Sequence, residues 1–279
     1  MGGGIRARWQ AAGHEVVAYD EDAARRDVDG LPTLVARLAA PRAVWVMVPA
    51  GAATDATIST LAGLLSPGDV LIDGGNSNYK DSIRRGAALA ERGMHFIDSG
   101  TSGGIWGERN GYCVMVGGSG EAIALARPLF EVLVEEGGWL HVGPVGAGHF
   151  VKMVHNGIEY GLMQAYAEGF ALLRAYDTQL DLERIAGLWQ HGSVVRSWLL
   201  ELAEQAFAAN ADLDDIRGVV DDSGEGRWTV QEGVERGVPL DVITLALFNR
   251  FQSRDDNSFA NRVLAALRRE FGGHAVHTG

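Results

Sequence analysis

The sequence predicts a doubly wound α/β domain with a mostly parallel sheet over residues 1–147, followed by an all-helical domain over residues 148–279. Three observations carry that prediction. From residue 15 to about 142, short β-rich runs alternate with helical stretches, as in strands joined by crossover helices. Near Gly146–Gly148 the character changes, and every later pattern is helical. Glycine is abundant, at 38 residues, and many glycines follow the β-rich runs, where a ligand-binding α/β domain places its turns.

The chain opens with Met1-Gly2-Gly3-Gly4 and goes straight into a helix, Ile5–Ala12. Gly13-His14 leads into a strand, Glu15–Tyr19, that ends at Asp20. A dinucleotide-binding domain normally opens with a hydrophobic strand running into G-x-G-x-x-G. The first strand and first two glycines of that fingerprint are absent here, while the helix, strand and terminal acid follow in the right order. The segment therefore reads as a Rossmann-like domain entered at the last glycine of its fingerprint; the alternative is a plain flexible tail. The missing strand is central in that fold, and with it go backbone N–H groups that cradle a pyrophosphate. Either the start lies too far downstream, or the chain binds its dinucleotide weakly or not at all. An acid in the place of Asp20 can accept a hydrogen bond from the ribose 2′-OH of NAD and repel a 2′-phosphate; the competing reading is a turn former.

Further strands are expected at Ala43–Val48, Val70–Asp73, His95–Asp98, Cys113–Val116 and Leu140–Val142, with helices near Thr54–Leu65 and Ser82–Arg92. Beyond the change in character, helical patterns cover 149–176, 181–191, 193–209, a segment around 227–236, and 239–270.

An apolar content of 47% in 279 residues supports a sizeable core and two domains. A net charge of −12 argues against a nucleic-acid partner or an anionic membrane surface, so any arginines that hold an anion must be clustered locally. No signal peptide or membrane span is visible, and Arg6 stands where myristoylation needs Ser or Thr, so a soluble cytoplasmic protein is expected. The single cysteine, Cys113, lies in the apolar run Tyr112–Val116 and reads as a core residue. No disulfide framework and no recognisable metal-ligand cluster follow from the sequence.

The most informative stretch is Gly148-His149-Phe150-Val151-Lys152-Met153-Val154-His155-Asn156-Gly157-Ile158-Glu159-Tyr160. On a helix, residues 152, 155, 156 and 159 share a face, which sets Lys152 and Glu159 roughly 10 Å apart along the axis. That spacing suits a substrate several carbons long, met by a base and an acid at different atoms. The competing reading is an amphipathic helix with a solvated polar stripe. Apolar Val151, Met153, Val154 and Ile158 make the helix mostly buried, and a buried lysine is costly unless paired or used.

Together with Asp73-Gly74-Gly75-Asn76-Ser77 and Ser102-Gly103-Gly104, the run Lys152-x-x-His155-Asn156-x-x-Glu159-Tyr160 resembles the decarboxylating 6-phosphogluconate dehydrogenases of the β-hydroxyacid dehydrogenase superfamily. None of the motifs is specific alone. Three in order, over nearly the whole chain, are, and the length fits the short form with one helical domain. The resemblance implies an oxidoreductase that converts 6-phosphogluconate to ribulose 5-phosphate with hydride transfer to NAD, preferred over NADP, without a metal. Lys152 would be the base at the 3-hydroxyl and Glu159 the acid at C1. His155, Asn156, Asn76 and Ser102 would position the substrate, with Gly103 and Gly104 beside it. Gly2, Asp20, Val48, Pro49 and Asn76 would contact the cofactor.

At the phosphate end, Gly224-Glu225-Gly226-Arg227-Trp228-Thr229 resembles the family's phosphate-contacting turn, with Arg227 where Lys is frequent, and Tyr160 completes the set. Arg250 lies among apolar residues in Phe248-Asn249-Arg250-Phe251, and on spacing alone it either contacts the phosphate or pairs with a buried acid. Arg268 and His274 match a tail that in the family reaches a neighbouring subunit's site, which implies a homodimer or homotetramer. Two alternatives stand beside this reading: another β-hydroxyacid dehydrogenase with the same lysine base, and a catalytically impaired binding or assembly homologue lacking the first strand.

Overall fold

The computed structural model describes residues 1–277 and divides into two compact units, one ending at His155 and the other beginning at Asn156. In the first unit, five strands form one sheet in the order β1 (Ala43–Val46), β2 (Val70–Asp73), β3 (His95–Ser102), β4 (Cys113–Gly118) and β5 (Trp139–Gly143). All neighbours run parallel except β3 and β4, which are antiparallel from Ile97↔Gly118 to Ser102↔Cys113. The mostly parallel expectation holds.

Side chains alternate across this sheet and feed two cores. Ile72, Ile97, Val114 and Val116 point to one face, where α1 (Gly2–Ala11) contributes Ile5 and Trp9, and α6 (Gly120–Glu131) contributes Ile123, Ala126 and Phe130. Val44, Val46, Leu71 and Phe96 point to the other. There they meet α2 (Leu31–Arg37), α3 (Ala52–Leu64) and α4 (Tyr79–Ala90) through Leu34, Ile58, Leu61 and Leu89. A sheet covered on both faces needs strands that are apolar on both sides, and β2 is buried at all four positions.

The segment Glu15–Tyr19, expected as a strand, forms no ladder. Its alternation is nevertheless present: Val16 packs on the core beside Ile5, and Val17 on the core beside Val44. The backbone of Ala18 is taken by Asp27, whose carboxylate accepts the Ala18 N–H at 2.9 Å and whose own N–H donates to the Ala18 carbonyl at 2.8 Å. β1 is therefore an edge strand. The glycines Gly2–Gly4 belong to α1 rather than to a loose tail. Cys113, expected in the core, is exposed, because it opens β4 at the last rung of the ladder with β3.

α7 (Ala147–Arg174) is one unbroken helix, about 42 Å long at 1.5 Å per residue. A short α5 (Gly107–Asn110) precedes β4. The second unit is helical throughout. One core joins Phe170 of α7 to Leu182 and Ala186 of α8 (Leu182–Trp189) and to Leu200 and Phe207 of α9 (Trp198–Ala209). A second joins Tyr160 of α7 to Val230 of α10 (Glu225–Arg236) and to Ala246 and Leu247 of α11 (Asp241–Gln252). The pattern expected as one helix over 239–270 is two, because Ser253-Arg254-Asp255-Asp256-Asn257-Ser258 separates α11 from α12 (Phe259–Gly272). α12 has no buried residue and leaves Phe259 70%, Leu264 59%, Leu267 57% and Phe271 79% exposed.

Candidate active site

In the first unit, the C-terminal ends of β1, β2 and β3 gather most of the expected residues. The turn after β2 is fixed by Asp73, which is buried and accepts from the Gly75 N–H at 3.2 Å and from Ser77 Oγ at 2.7 Å. Arg85 of α4, also buried, donates to the same carboxylate at 3.0 Å and to Asp55 of α3 at 2.9 Å. This network sets Asn76 half-buried at the turn's apex. A Cβ at Gly75 would stand 3.1 Å from the Val48 carbonyl oxygen, so the Asn76 turn and the Val48-Pro49 loop lie side by side. Gly2, exposed at the start of α1, neighbours the same loop through Met47, 3.9 Å from where its Cβ would be.

β3 runs four residues further than expected and delivers Ser102 directly to Gly103 and Gly104, whose φ values of 129° and 54° turn the chain where a side chain would be strained. The Tyr112 ring packs under this turn, against Gly103 and Gly107, and its hydroxyl abuts Gly4 of α1. Burial and the nearby Glu108 raise the Tyr112 pKa. Lys152 is buried at 5% exposure, and its Cβ lies against Gly100 of β3, two residues before Ser102. Asp20 is exposed, and its carboxylate accepts the Asp22 N–H at 2.9 Å, a turn-forming bond.

In the second unit, Asn156 is buried and Glu159 half-buried, on the face of α7 that the 3.6-residue repeat shares with Lys152. A recess of about 420 Å³ is lined by Glu159, Tyr160, Met163, Asp221, Asp222, Ser223 and Arg250. The Arg250 guanidinium lies 3.6 Å from the Tyr160 ring centroid, a cation–π contact, and donates to the Asp221 carbonyl at 2.8 Å. Tyr160 OH accepts the Ser223 N–H at 3.1 Å. Arg227 is closed on Asp222 through two bonds of 2.6 and 3.0 Å, with Arg254 on the same carboxylate at 3.0 Å. Thr229 is buried and donates to the Glu225 carbonyl at 2.9 Å. Arg268 and His274 are exposed on α12 and just beyond it.

Residues 1–143 match the NAD binding domain of 6-phosphogluconate dehydrogenase, and residues 148–273 match the C-terminal domain of that enzyme. The chain belongs to the 6-phosphogluconate dehydrogenase family. It is 45% identical over 276 residues to the NAD(+)-dependent, decarboxylating 6-phosphogluconate dehydrogenase of Haloferax volcanii, covering 95% of this chain and 91% of that protein. It is also 45% identical over 285 residues to YqeC of Bacillus subtilis, covering 99% of this chain and 96% of that one. Among solved structures, a Plasmodium falciparum 6-phosphogluconate dehydrogenase, described with its cofactor NADP+ and its substrate 6-phosphogluconate, superposes with a TM-score of 0.83 at 27% identity. The match covers all of this chain and 64% of the Plasmodium chain. The chain is thus a decarboxylating oxidoreductase with a dinucleotide-binding first domain. No helix among the described residues is long and apolar enough to cross a membrane.

For this family member the structure amends the residue-level reading in two places. The lysine-bearing helix is not buried all round: Val151 and Ile158 are 38% and 52% exposed, while Lys152, Met153 and Asn156 face inward. Tyr112 and the run Asp221-Asp222-Ser223 were not anticipated. Tyr112 opens the apolar run Tyr112–Val116, which reports burial but not the turn it supports, and Asp221-Asp222-Ser223 precede an N-cap glycine, Gly224, that no side chain caps.

The Arg227 bonds, reinforced by those from Arg254 and opposed by burial, hold the Asp222 carboxyl at about 2, below its ordinary 3.8. A depressed folded-state pKa contributes stability that is complete above pH 4 and is lost as pH falls toward 2. The contribution is at most about 2 kcal/mol, and less to the extent that solvent screens half-exposed Arg227. Asp222→Asn should therefore unfold at lower urea than the parent at pH 5, with the gap narrowing below pH 4 and closing only toward pH 2. A gap that stays constant with pH would refute the assignment.

Proposed function

We propose that the chain oxidatively decarboxylates 6-phosphogluconate to ribulose 5-phosphate, using NAD in preference to NADP. The observation that carries the reading is the buried Lys152, placed on one helix face with Asn156 and Glu159 and lying against the strand that ends in Ser102. Bound nicotinamide supplies the hydride acceptor at C3. Neutral Lys152 takes the proton of the 3-hydroxyl as the C3–H bond breaks, leaving a 3-keto acid. The C1–C2 bond then breaks, CO2 departs, and its electron pair moves into the C2–C3 bond as the ketone becomes an enol. Protonated Lys152 returns its proton to that oxygen. Glu159 protonates the carbon that lost CO2, the terminal carbon of ribulose 5-phosphate, while Lys152, neutral again, takes the enol proton back. Asn76, Ser102, Gly103, Gly104, His155 and Asn156 hold the substrate's hydroxyl and carboxylate groups.

The residues suit a dinucleotide. Gly2 and Gly3 leave the start of α1 without side chains, beside the Met47-Val48 loop, where backbone N–H groups and the helix dipole favour a phosphate. Asp20 stands exposed at the end of its segment, where it can meet the ribose.

At the phosphate end, Arg250 and Tyr160 share the recess with Glu159, Asp221 and Asp222, so acids outnumber the one arginine there. Arg227 must exchange Asp222 for the phosphate to bind it. This shortage of positive charge supports the reading that Arg268 and His274 serve a neighbouring copy's site in a homodimer or homotetramer. The apolar stripe of α12, exposed along its length, supports association through the same element.

Lys152→Met should abolish NADH formation from 6-phosphogluconate while leaving the substrate Kd, measured calorimetrically, within tenfold of the parent; turnover near the parental rate would refute the base assignment. Asp20→Asn should narrow the ratio of kcat/KM for NAD over NADP by about tenfold or more, on the order of one hydrogen bond to a charged group. A parent enzyme that already prefers NADP would overturn the assignment of Asp20. Mixing inactive Lys152→Met with inactive Arg268→Ala under conditions of subunit exchange should restore part of the parental activity, because one composite site then carries both native residues. No recovery after demonstrated exchange would argue against shared sites.

A further inference from the structure

Gly146, the residue before α7, has no side chain with which to cap it, yet Gly146, Gly148 and His149 at the helix start are buried. The missing cap comes from another element. Asp98 of β3, 0% exposed, accepts the Gly146 N–H at 2.6 Å through one oxygen and the His149 N–H at 2.8 Å through the other. Gly146 is the N-cap position, since its carbonyl accepts the first helical bond from Phe150 at 2.9 Å. His149 is then the third residue of the helix. One carboxylate from a neighbouring strand thus satisfies both N–H groups that a capping box would otherwise serve from within the helix. The helix dipole favours the negative charge at that end.

The imidazole of His149 is turned away to α4, where Nδ1 stands 2.7 Å from Ser82 Oγ; both residues are buried. The first turn is therefore fastened to β3 by its backbone and to α4 by a side chain. From Gly148 to Lys152 the helix lies on bare backbone. A Cβ at Gly148 would fall 2.4 Å from the Asp98 carbonyl oxygen, and one at Gly100 would fall 2.3 Å from the Lys152 Cβ. Asp98 and Gly100, two apart on one strand, meet α7 at its cap and at its lysine.

We propose that Asp98 is a positioning residue for Lys152: by capping α7 from β3 it fixes the height and rotation at which the lysine stands over the strand leading to Ser102. The proposal rests on Lys152 being the base. Asp98 touches no substrate and acts only through the helix it holds. Replacing one of its oxygens with an amide points a donor at a backbone N–H, and the helix must shift to relieve it. A displacement on the order of 1 Å at a reacting group costs about a hundredfold in rate.

The test compares Asp98→Asn and Gly100→Ala with the parent, with turnover expressed per 6-phosphogluconate site counted by calorimetry so that any unfolded fraction drops out. Both variants should lower kcat by about a hundredfold and leave KM for 6-phosphogluconate within about threefold. The deuterium isotope effect on kcat with 3-deuterated substrate should rise, because the step that Lys152 assists becomes more limiting. Gly100→Ala leaves the Asp98 carboxylate in the chain but presses on the Lys152 Cβ and, at 2.9 Å, on the Gly148 carbonyl oxygen, so it reports whether the seating of α7 on β3 sets the rate if Asp98→Asn fails to fold. If both folded variants turn over within threefold of the parent, or lose rate with no change in isotope effect, the positioning role is overturned. Lys152→Met separates the two failures: if it stays active, the base assignment falls, and if it is dead while Asp98→Asn and Gly100→Ala are normal, only the positioning role falls.

Discussion

The closeness with which α7 lies on β3 and β4 is the constraint on which the rest of the structure depends. A helix normally sits about 10 Å from a neighbouring layer because side chains intervene. Here Gly100, Gly117 and Gly148 remove them, and helix and strands meet backbone to backbone. That contact buries the helix's first turn, which would leave N–H groups unsatisfied. The Asp98 carboxylate answers that need, and its own burial is compensated by the two bonds it accepts. The same seating takes Lys152 out of water.

Around this seat the first unit is built to hold loops still. Asp73, Arg85 and Asp55 bind the turn after β2, Tyr112 underpins the turn after β3, and Thr54 donates to the Pro49 carbonyl at 2.9 Å after β1. Each turn emerges from the carboxyl end of a strand, where open α/β sheets place their ligands. The second unit works differently. Its recess is formed by aromatic and charged groups in mutual contact, such as Arg250 over Tyr160, so its charges are pre-paired rather than waiting.

How much of this could be read in the sequence depended on whether a local pattern carried it. β2 was legible to the residue, because four apolar or terminal-acid positions sit between clear turn signals. The face of α7 was legible from helical spacing alone. α6 escaped notice because Pro128 lies inside it, although Ser119 accepting the Ala122 N–H marks its start. Glu15–Tyr19 alternates as a strand should, but pairing is a tertiary property, and its backbone goes to Asp27. Asp98 was read as a strand end; its cap on α7 links residues about fifty apart in sequence, and no periodicity reports such a bond.

The closure of Arg227 on Asp222 has a kinetic side. Arg227 and Arg254 share Asp222, with Asp221 on Arg254 as well, so the two arginines face two carboxylates and project little field beyond the group, and the chain as a whole carries a net charge of −12. An anion drawn to Arg227 would therefore meet repulsion at long range and find attraction only close to the arginine, where it competes with the Asp222 carboxylate. Capture of such a ligand is not electrostatically steered, and added salt, by screening the repulsion, quickens the encounter rather than slowing it.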